Sequence, residues 1–303
     1  MEEPVKRSAL LTCTLAAIVC TVVLLTGARA EIETTPPPVK VMTFNIRYAT
    51  AGDGENAWAH RRAFVLETIR TCDPDLLGGQ EVLAAPAKFL RDGLPQYGFH
   101  GVGRDDGKAA GEFAPVLWRK SRFERVEAGH FWLSLEPDVP GSRGWDAACV
   151  RMVSWVKLVD REAGGRRFLF VNTHFDHRGA QARLGSARLL HARLRGLAEG
   201  LPVVLTGDFN CTEDDPPYQL LVEDPGELVD AYRAAHPHRT PWERTGAGWG
   251  GERKGSRIDW ILHSSTWKTL SARIDVTHDD ERYPSDHFPV VAVLRLREPS
   301  EKR

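Results

Sequence analysis

Six times between Val39 and Leu296, a short run of aliphatic and β-branched residues meets a cluster of amides, carboxylates or imidazoles. Val41-Met42-Thr43-Phe44 ends in Asn45, Leu76-Leu77-Gly78-Gly79 in Gln80-Glu81, and Leu169-Phe170-Val171 in Asn172-Thr173-His174-Phe175-Asp176-His177. Val203-Val204-Leu205-Thr206-Gly207 ends in Asp208-Phe209-Asn210, Ile258 leads into Asp259, and Pro284-Ser285-Asp286-His287 precedes the run at Val290. A single cluster of this kind is an ordinary turn or helix cap, because Asn and Asp favour both. Six of them at the boundaries of strand candidates call for a fold in which strand ends converge on one polar site, as in layered α/β proteins.

The strand candidates are Val39–Asn45, Leu76–Glu81, Ala114–Trp118, Val150–Val159, Phe168–Thr173, Val203–Asn210, Ile258–His263 and Val290–Leu296. Helical spacing appears at Trp58–Arg70, Ala85–Leu94 and Ala180–Ala198. Strands interleaved with a few helices predict a mixed α/β or α+β layered domain over residues 39–297. Glu31–Pro38 reads as a polar, proline-stiffened lead-in and Glu298–Arg303 as a charged tail. At 42% hydrophobic and 27% charged residues the chain excludes wholesale disorder, collagen and multi-span membrane classes.

Lys6 and Arg7 precede an uncharged apolar run from Leu10 to Leu25, followed by Gly27-Ala28-Arg29-Ala30. This is the layout of a signal peptide over residues 1–30, cleaved before Glu31 or retained as an N-terminal anchor. The remainder is expected to be exported, periplasmic or extracellular, with no stable membrane span unless that leader stays. Cys72, Cys149 and Cys211 then face an oxidising compartment, and three is odd, so at least one stays free or pairs between chains.

Glu81, Asp208 and Asp286 are hard oxygen ligands, and Asn45 and Asn210 neutral ones, a set that suits Mg²⁺ or Mn²⁺ over zinc. His174 and His287 can donate to an oxyanion or move protons near neutral pH. A divalent cation, two imidazoles and amide donors fit hydrolysis of a phosphate ester by in-line attack of water. Forty Lys and Arg against 41 Asp and Glu give a net charge of −1, which favours a small phosphorylated substrate over nucleic acid gripped along many phosphates. A nuclease is the alternative, and Arg47, Arg61, Arg62, Arg104, Arg119, Arg151 and Arg257 are the arginines a basic cleft could gather. A monomer is expected.

Taken in order, Asn45, Gln80-Glu81, Asn172-Thr173-His174, Gly207-Asp208-Phe209-Asn210, Ile258-Asp259 and Ser285-Asp286-His287 resemble the endonuclease/exonuclease/phosphatase superfamily. The resemblance implies a four-layer sandwich, two mixed β-sheets face to face with helices outside, and metal-dependent phosphoester cleavage at one end of it. It implies Glu81 as the main metal ligand, with Asn45 beside it and Asp286 contributing directly or through water. Asp208 and Asn210 would hold the attacking water and a phosphate oxygen, His174 would hydrogen-bond the phosphate, and Asp259 would orient His287. Arg47 stands where apurinic-site endonucleases of this superfamily carry an Asp, which argues against a second metal there and supplies a cation for substrate phosphate. The segments Phe44-Asn45-Ile46-Arg47, Gly103-Arg104-Asp105-Asp106-Gly107 and Asn172–His177 resemble exported or sugar-utilisation-associated bacterial members.

Other signals are weaker. Asn172–His177 mimics the HxHxDH box of dizinc hydrolases but lacks its first His. Trp118, Trp132 and Trp155 read as core, whereas Trp145, in a Gly-rich loop, and His177 are candidate substrate contacts. Gly246-Ala247-Gly248-Trp249-Gly250-Gly251 has no strand-then-helix context and reads as a loop. Cys211 reads as an inert small residue.

Overall fold

The computed structural model describes residues 1–2, 35–223 and 228–298. The leader and nearly all of the charged tail lie outside the described residues. Among the described residues the strands are β1 (Val39–Asn45), β2 (Leu76–Gln80), β3 (Tyr97–His100), β4 (Val116–Arg119), β5 (Phe123–Trp132) and β6 (Met152–Asp160). They continue as β7 (Arg166–His174), β8 (Val203–Asp208), β9 (Leu228–Asp230), β10 (Asp259–Ser264), β11 (Trp267–Ile274) and β12 (Val290–Leu296). The helices are α1 (Trp58–Cys72), α2 (Ala84–Gly93), α3 (Ala180–Ala198), α4 (Pro216–Tyr218) and α5 (Ala231–Ala235). No helix among the described residues is long and apolar enough to cross a membrane.

The strands form two six-stranded sheets, in the orders β11-β12-β1-β2-β4-β3 and β5-β6-β7-β8-β10-β9. Each sheet has one parallel pair at its centre, β1 with β2 and β7 with β8, flanked on both sides by antiparallel neighbours. Side chains alternate faces along a strand, and the alternation builds the layers. Val39, Val41, Leu76, Phe168, Phe170, Val204 and Ile261 meet between the sheets. Met42, Phe44 and Leu77 turn outward under Val65 and Ile69 of α1 and Leu90 of α2. Leu169, Val171, Leu205 and Trp260 turn outward under Ala187, Leu190 and Leu194 of α3. The resulting order is helix, sheet, sheet, helix, the expected four-layer sandwich.

The eight strands anticipated from apolar runs are the interior ones, with ends shifted by up to two residues. β3, β5, β9 and β11 went unanticipated, and they are the four sheet edges. Their sequences explain this: Glu124–Glu127 within β5 is exposed, so the strand carries little of the apolar signal that a strand covered on both faces must carry.

Following the inward-facing positions toward one end of the sandwich, the chemistry changes in steps. The apolar tier gives way to Thr43, Gln80, Asn172 and Thr206, all buried. Gln80 Nε2 donates to Thr43 Oγ1 (3.0 Å) and Asn172 Oδ1 (2.7 Å), and Thr206 Oγ1 donates to Asn172 Oδ1 (3.0 Å). Asn172 Nδ2 donates in turn to the carbonyls of Gly79 (2.7 Å) and Pro115 (3.0 Å). The two sheets are thus tied by hydrogen bonds where apolar packing stops, and Asn172 is consumed by this scaffold. Gly78 makes room for it, since a Cβ there would lie 2.1 Å from Thr206 Oγ1.

Candidate active site

One step above that tier, the register sets the catalytic candidates side by side. His174 of β7 is level with Asp208 of β8, which is level with Asp259 of β10. In the facing sheet Asn45 of β1 is level with Gln80 of β2. The chain leaves these strands through strained turns: Arg47, Glu81 and Asn210 all have positive φ (57°, 59° and 49°). L-residues adopt that region at a cost, and such strain is held where the surroundings over-determine it.

Asn45 Nδ2 donates to Glu81 Oε1 (3.0 Å) and to Asp208 Oδ2 (2.9 Å), bridging carboxylates from the two sheets. Its Oδ1 accepts the Arg47 N–H (2.9 Å). The amide thus turns nitrogen, not oxygen, toward the carboxylates and acts as a donor between them. Glu81 Oε2 accepts the Tyr48 N–H at 2.8 Å. The loop carrying Asp286 is pinned to β1 by Ser285 Oγ, which donates to the Asn45 carbonyl (2.7 Å), and by the buried Arg61, which donates to the carbonyls of Ile46 and Pro284.

His287 Nδ1 donates to Asp259 Oδ2 at 2.9 Å, and its Nε2 lies 3.9 Å from Asp208 Oδ2. Burial opposes a charge on His287, yet Asp259, Asp208 and Asp286 together raise its pKa well above that of an ordinary imidazole. Asp208 is pushed up to about 7 by burial and by Asp259. This cluster therefore holds a proton at neutral pH. His174 behaves oppositely: burial, then Arg151 and Arg104, hold its pKa well below the usual value. Asn210 Nδ2 donates to the Phe175 carbonyl (3.1 Å), which fixes its orientation, and donates also to His174 Nε2 (3.0 Å). A neutral His174 thus carries its proton on Nδ1, facing Glu112 at 3.9 Å.

These groups line a cavity of about 390 Å³ that includes Arg47, Glu81, His174, His177, Asp208, Asn210, Asp286 and His287. Arg47 is gripped by Asp53 through Nε (3.0 Å) and Nη2 (2.9 Å) and stands 3.7 Å from Asp286. His177 is held by Arg151 Nη2 at 3.2 Å. Trp145 is not brought to the cavity. It lies in a separate hollow with Leu135 and Arg188, its ring over Gly185 of α3, where a Cβ would come within 2.2 Å. The next residue, Asp146, accepts the Ala182 N–H at the start of α3 (2.6 Å), so this loop anchors a helix. Asp176 likewise fixes a loop, accepting from the N–H groups of Cys149, Arg178 and Gly179.

Tyr48, Arg104, Glu112, Cys149 and Arg151 of the cavity escaped the strand-end pattern. Glu112 and Tyr48 sit on loops, and Glu112 pairs with Arg104 at 2.7 Å. The signal available for Glu112 was the Gly-rich stretch from Gly103 to Gly111, which folds back on itself through Gly103 and Lys108. Cys149 also lines the cavity, and all three described cysteines are free. Burial pushes the Cys211 thiol up, in keeping with an inert role.

The donor set fits a hard divalent cation. Asp286 titrates high because it is buried and because Glu81 repels its charge, a repulsion that a cation between the two carboxylates would relieve. Asp208, Asp259 and His287 bring ligand-type atoms within 4.8 Å of one another, but the protonated His287 among them makes them a weaker choice than the Glu81–Asp286 pair.

The family model for the endonuclease/exonuclease/phosphatase family matches residues 42–287. This chain belongs to that family. The family's members cleave phosphoester bonds with a divalent metal, and the chain is accordingly a metal-dependent phosphoesterase. Among solved structures, the family member from Bacteroides vulgatus is 39% identical with a TM-score of 0.80, covering 86% of this chain and 100% of its own. The Bacteroides thetaiotaomicron mannosyl-6-phosphatase is 34% identical with a TM-score of 0.78, covering 84% of this chain and 99% of its own. Human nocturnin is 23% identical over 90% of this chain and 69% of its own length.

Proposed function

We propose that this family member is an exported, Mg²⁺- or Mn²⁺-dependent hydrolase of a small phosphorylated, sugar-linked molecule. The observation that carries the reading is the convergence of His174, Asp208, Asn210 and His287 with Glu81 and Asp286 on one cavity. At about 390 Å³ that cavity is of the size that takes a small ligand. Similarity to a mannosyl-6-phosphatase supports a sugar phosphate. Of the arginines that could have formed a nucleic-acid stripe, Arg47, Arg104 and Arg151 line the cavity, whereas Arg119 pairs with Asp73 and Asp75 and Arg257 is buried with Glu213 and Asp230. The apolar run and small-residue site before Glu31 support export.

In this reading Glu81 and Asp286 hold the cation, which supplies charge neutralisation at the phosphoryl oxygens and a more acidic water. Asp208 and Asn210 position the attacking water. Neutral His174 donates from Nδ1 to a phosphoryl oxygen. The protonated His287, held by Asp259, faces the charge that builds during attack. Incubating the purified chain and Mg²⁺ or Mn²⁺ with sugar phosphates, p-nitrophenyl phosphate esters, RNA and plasmid DNA tests the reading. Turnover of the small esters alone is expected, and nicking of plasmid without turnover of small esters would overturn it.

A further inference from the structure

Arg151 is 5% exposed, yet its Nε and Nη1 have no hydrogen-bond partner, and neither has Arg104 Nε. Buried guanidinium N–H groups are costly to leave unpaired. Two other arginines of similar burial are supplied: Arg122 donates to Asp160 and to the carbonyls of Pro37 and Pro38, and Arg61 to the carbonyls of Ile46, Arg47, Asn56 and Pro284. The carboxylates nearest Arg151 stand off, Glu112 at 3.8 Å and Asp176 at 3.9 Å. Asp176 cannot turn to meet it, being held by three backbone N–H groups. Glu112 is shared with Arg104.

Arg104, Glu112, Arg151 and His174 line both the main cavity and a chamber of about 10 Å³ adjoining it, room for a single water or one ligand oxygen. Two guanidinium groups against one carboxylate leave this wall positive. Arg151 is also, after burial, the strongest influence depressing His174, which places it in electrostatic reach of the reacting centre.

We propose that Arg104 and Arg151 form a subsite for the extra negative charge of a phosphomonoester, so that the enzyme selects terminal phosphate groups over diesters. The inference rests on the phosphoester reading of the cavity and adds the substrate class. A monoester carries close to two negative charges at neutral pH, its second pKa lying near 6. A diester carries one, and replaces a terminal oxygen with a second substituent. Terminal oxygens accept forked, charge-assisted hydrogen bonds from guanidinium groups, whereas an esterified oxygen leaves those N–H groups buried and unpaired.

Rates on p-nitrophenyl phosphate and bis-p-nitrophenyl phosphate, which share a leaving group, test this in the wild type, Arg151→Gln and Arg104→Gln. Each variant is expected to lose about 10- to 10²-fold in kcat/KM on the monoester and less than about 3-fold on the diester. Equal losses on both esters, or no loss on the monoester, would overturn the subsite. A wild type that hydrolyses neither ester would instead sink the phosphoester reading beneath it. Should Arg151→Gln fail to fold, competition in the wild type and in Arg104→Gln decides. Inorganic phosphate should inhibit at least about 10-fold more tightly than dimethyl phosphate, and that preference should shrink in Arg104→Gln; an unchanged preference refutes the proposal.

Discussion

Two clusters of buried charge sit in this molecule, and they are balanced differently. Around Arg257, which is fully buried, Asp230 accepts from Nη2 at 2.6 Å and Glu213 accepts as well. Arg233 joins Glu213 (2.8 Å) to Glu243 (2.6 Å), and Tyr218 OH donates to Asp230 at 3.1 Å. Arg239, 3.1 Å from Glu213, brings the count to three guanidinium groups against three carboxylates, so the cluster is balanced. On one side of the cavity, Glu81, Asp208 and Asp286, with Asp259 behind His287, face one protonated His287 and an Arg47 already gripped by Asp53. On that side the carboxylates outnumber the cations, while across the cavity Arg104 and Arg151 against Glu112 leave the opposite excess. A neutralised cluster braces loops; an uncompensated one is built to receive a cation and the anion that the cation brings.

Removing a carboxylate from the uncompensated cluster should therefore cost activity, and breaking the balanced one should cost stability. The largest effect is expected from Glu81→Ala, which should abolish metal-stimulated turnover, a loss beyond about 10³-fold, with the thermal melt unchanged. Steady-state kinetics with and without EDTA check it, and activity persisting in excess EDTA would remove the metal from the account. His287→Ala and Asp208→Ala should each lower kcat by at least about 10²-fold, and a wild-type-like kcat would release that residue from the mechanism. Arg257→Met leaves Glu213 and Asp230 short of a partner. Losing one member of a buried ion pair costs about 3–5 kcal/mol, so the melting temperature should fall by at least about 6 °C while kcat per folded molecule stays near normal. An unchanged melt would erase the distinction between the clusters.

Asp176 gives the smallest and sharpest test, because backbone N–H groups satisfy it instead of cations. Burial pushes its pKa up, but donation from Gly179, Cys149 and Arg178 wins and holds it at about 2, against 3.8 for a free side chain. A depressed carboxylate stabilises the fold above its unfolded pKa and loses that contribution as pH falls through the folded one. Asp176→Asn should cost about 1–2 kcal/mol at pH 7, and the gap in melting temperature should narrow between pH 4 and pH 2. A gap that is constant with pH would mean that shape, not charge, holds the loop.

The eight interior strands, α1, α2 and α3, and the candidates at strand ends were legible because burial on both faces forces continuous apolar runs, and the polar residues that interrupt them stand out. The edge strands β3, β5, β9 and β11 were not, because solvent on one side relaxes that demand. Trp145 shows the same limit at the level of one side chain. Its Gly-rich surroundings suggested a substrate contact, and the structure places it over Gly185 of α3, where the absent Cβ lets the ring pack.

The order of residues along the chain determined the layered class, the chemical character of the site and its membership, since strand ends and hard oxygen ligands are local properties of sequence. Register and the packing of one sheet on the other decided the rest: that Asn45 turns its nitrogen to the carboxylates, that His287 is held protonated against Asp259 while His174 stays neutral, and that Arg104 and Arg151 keep N–H groups unpaired. Those outcomes depend on distances between residues far apart in the chain and on the loss of water around them, and neither is written in any single segment.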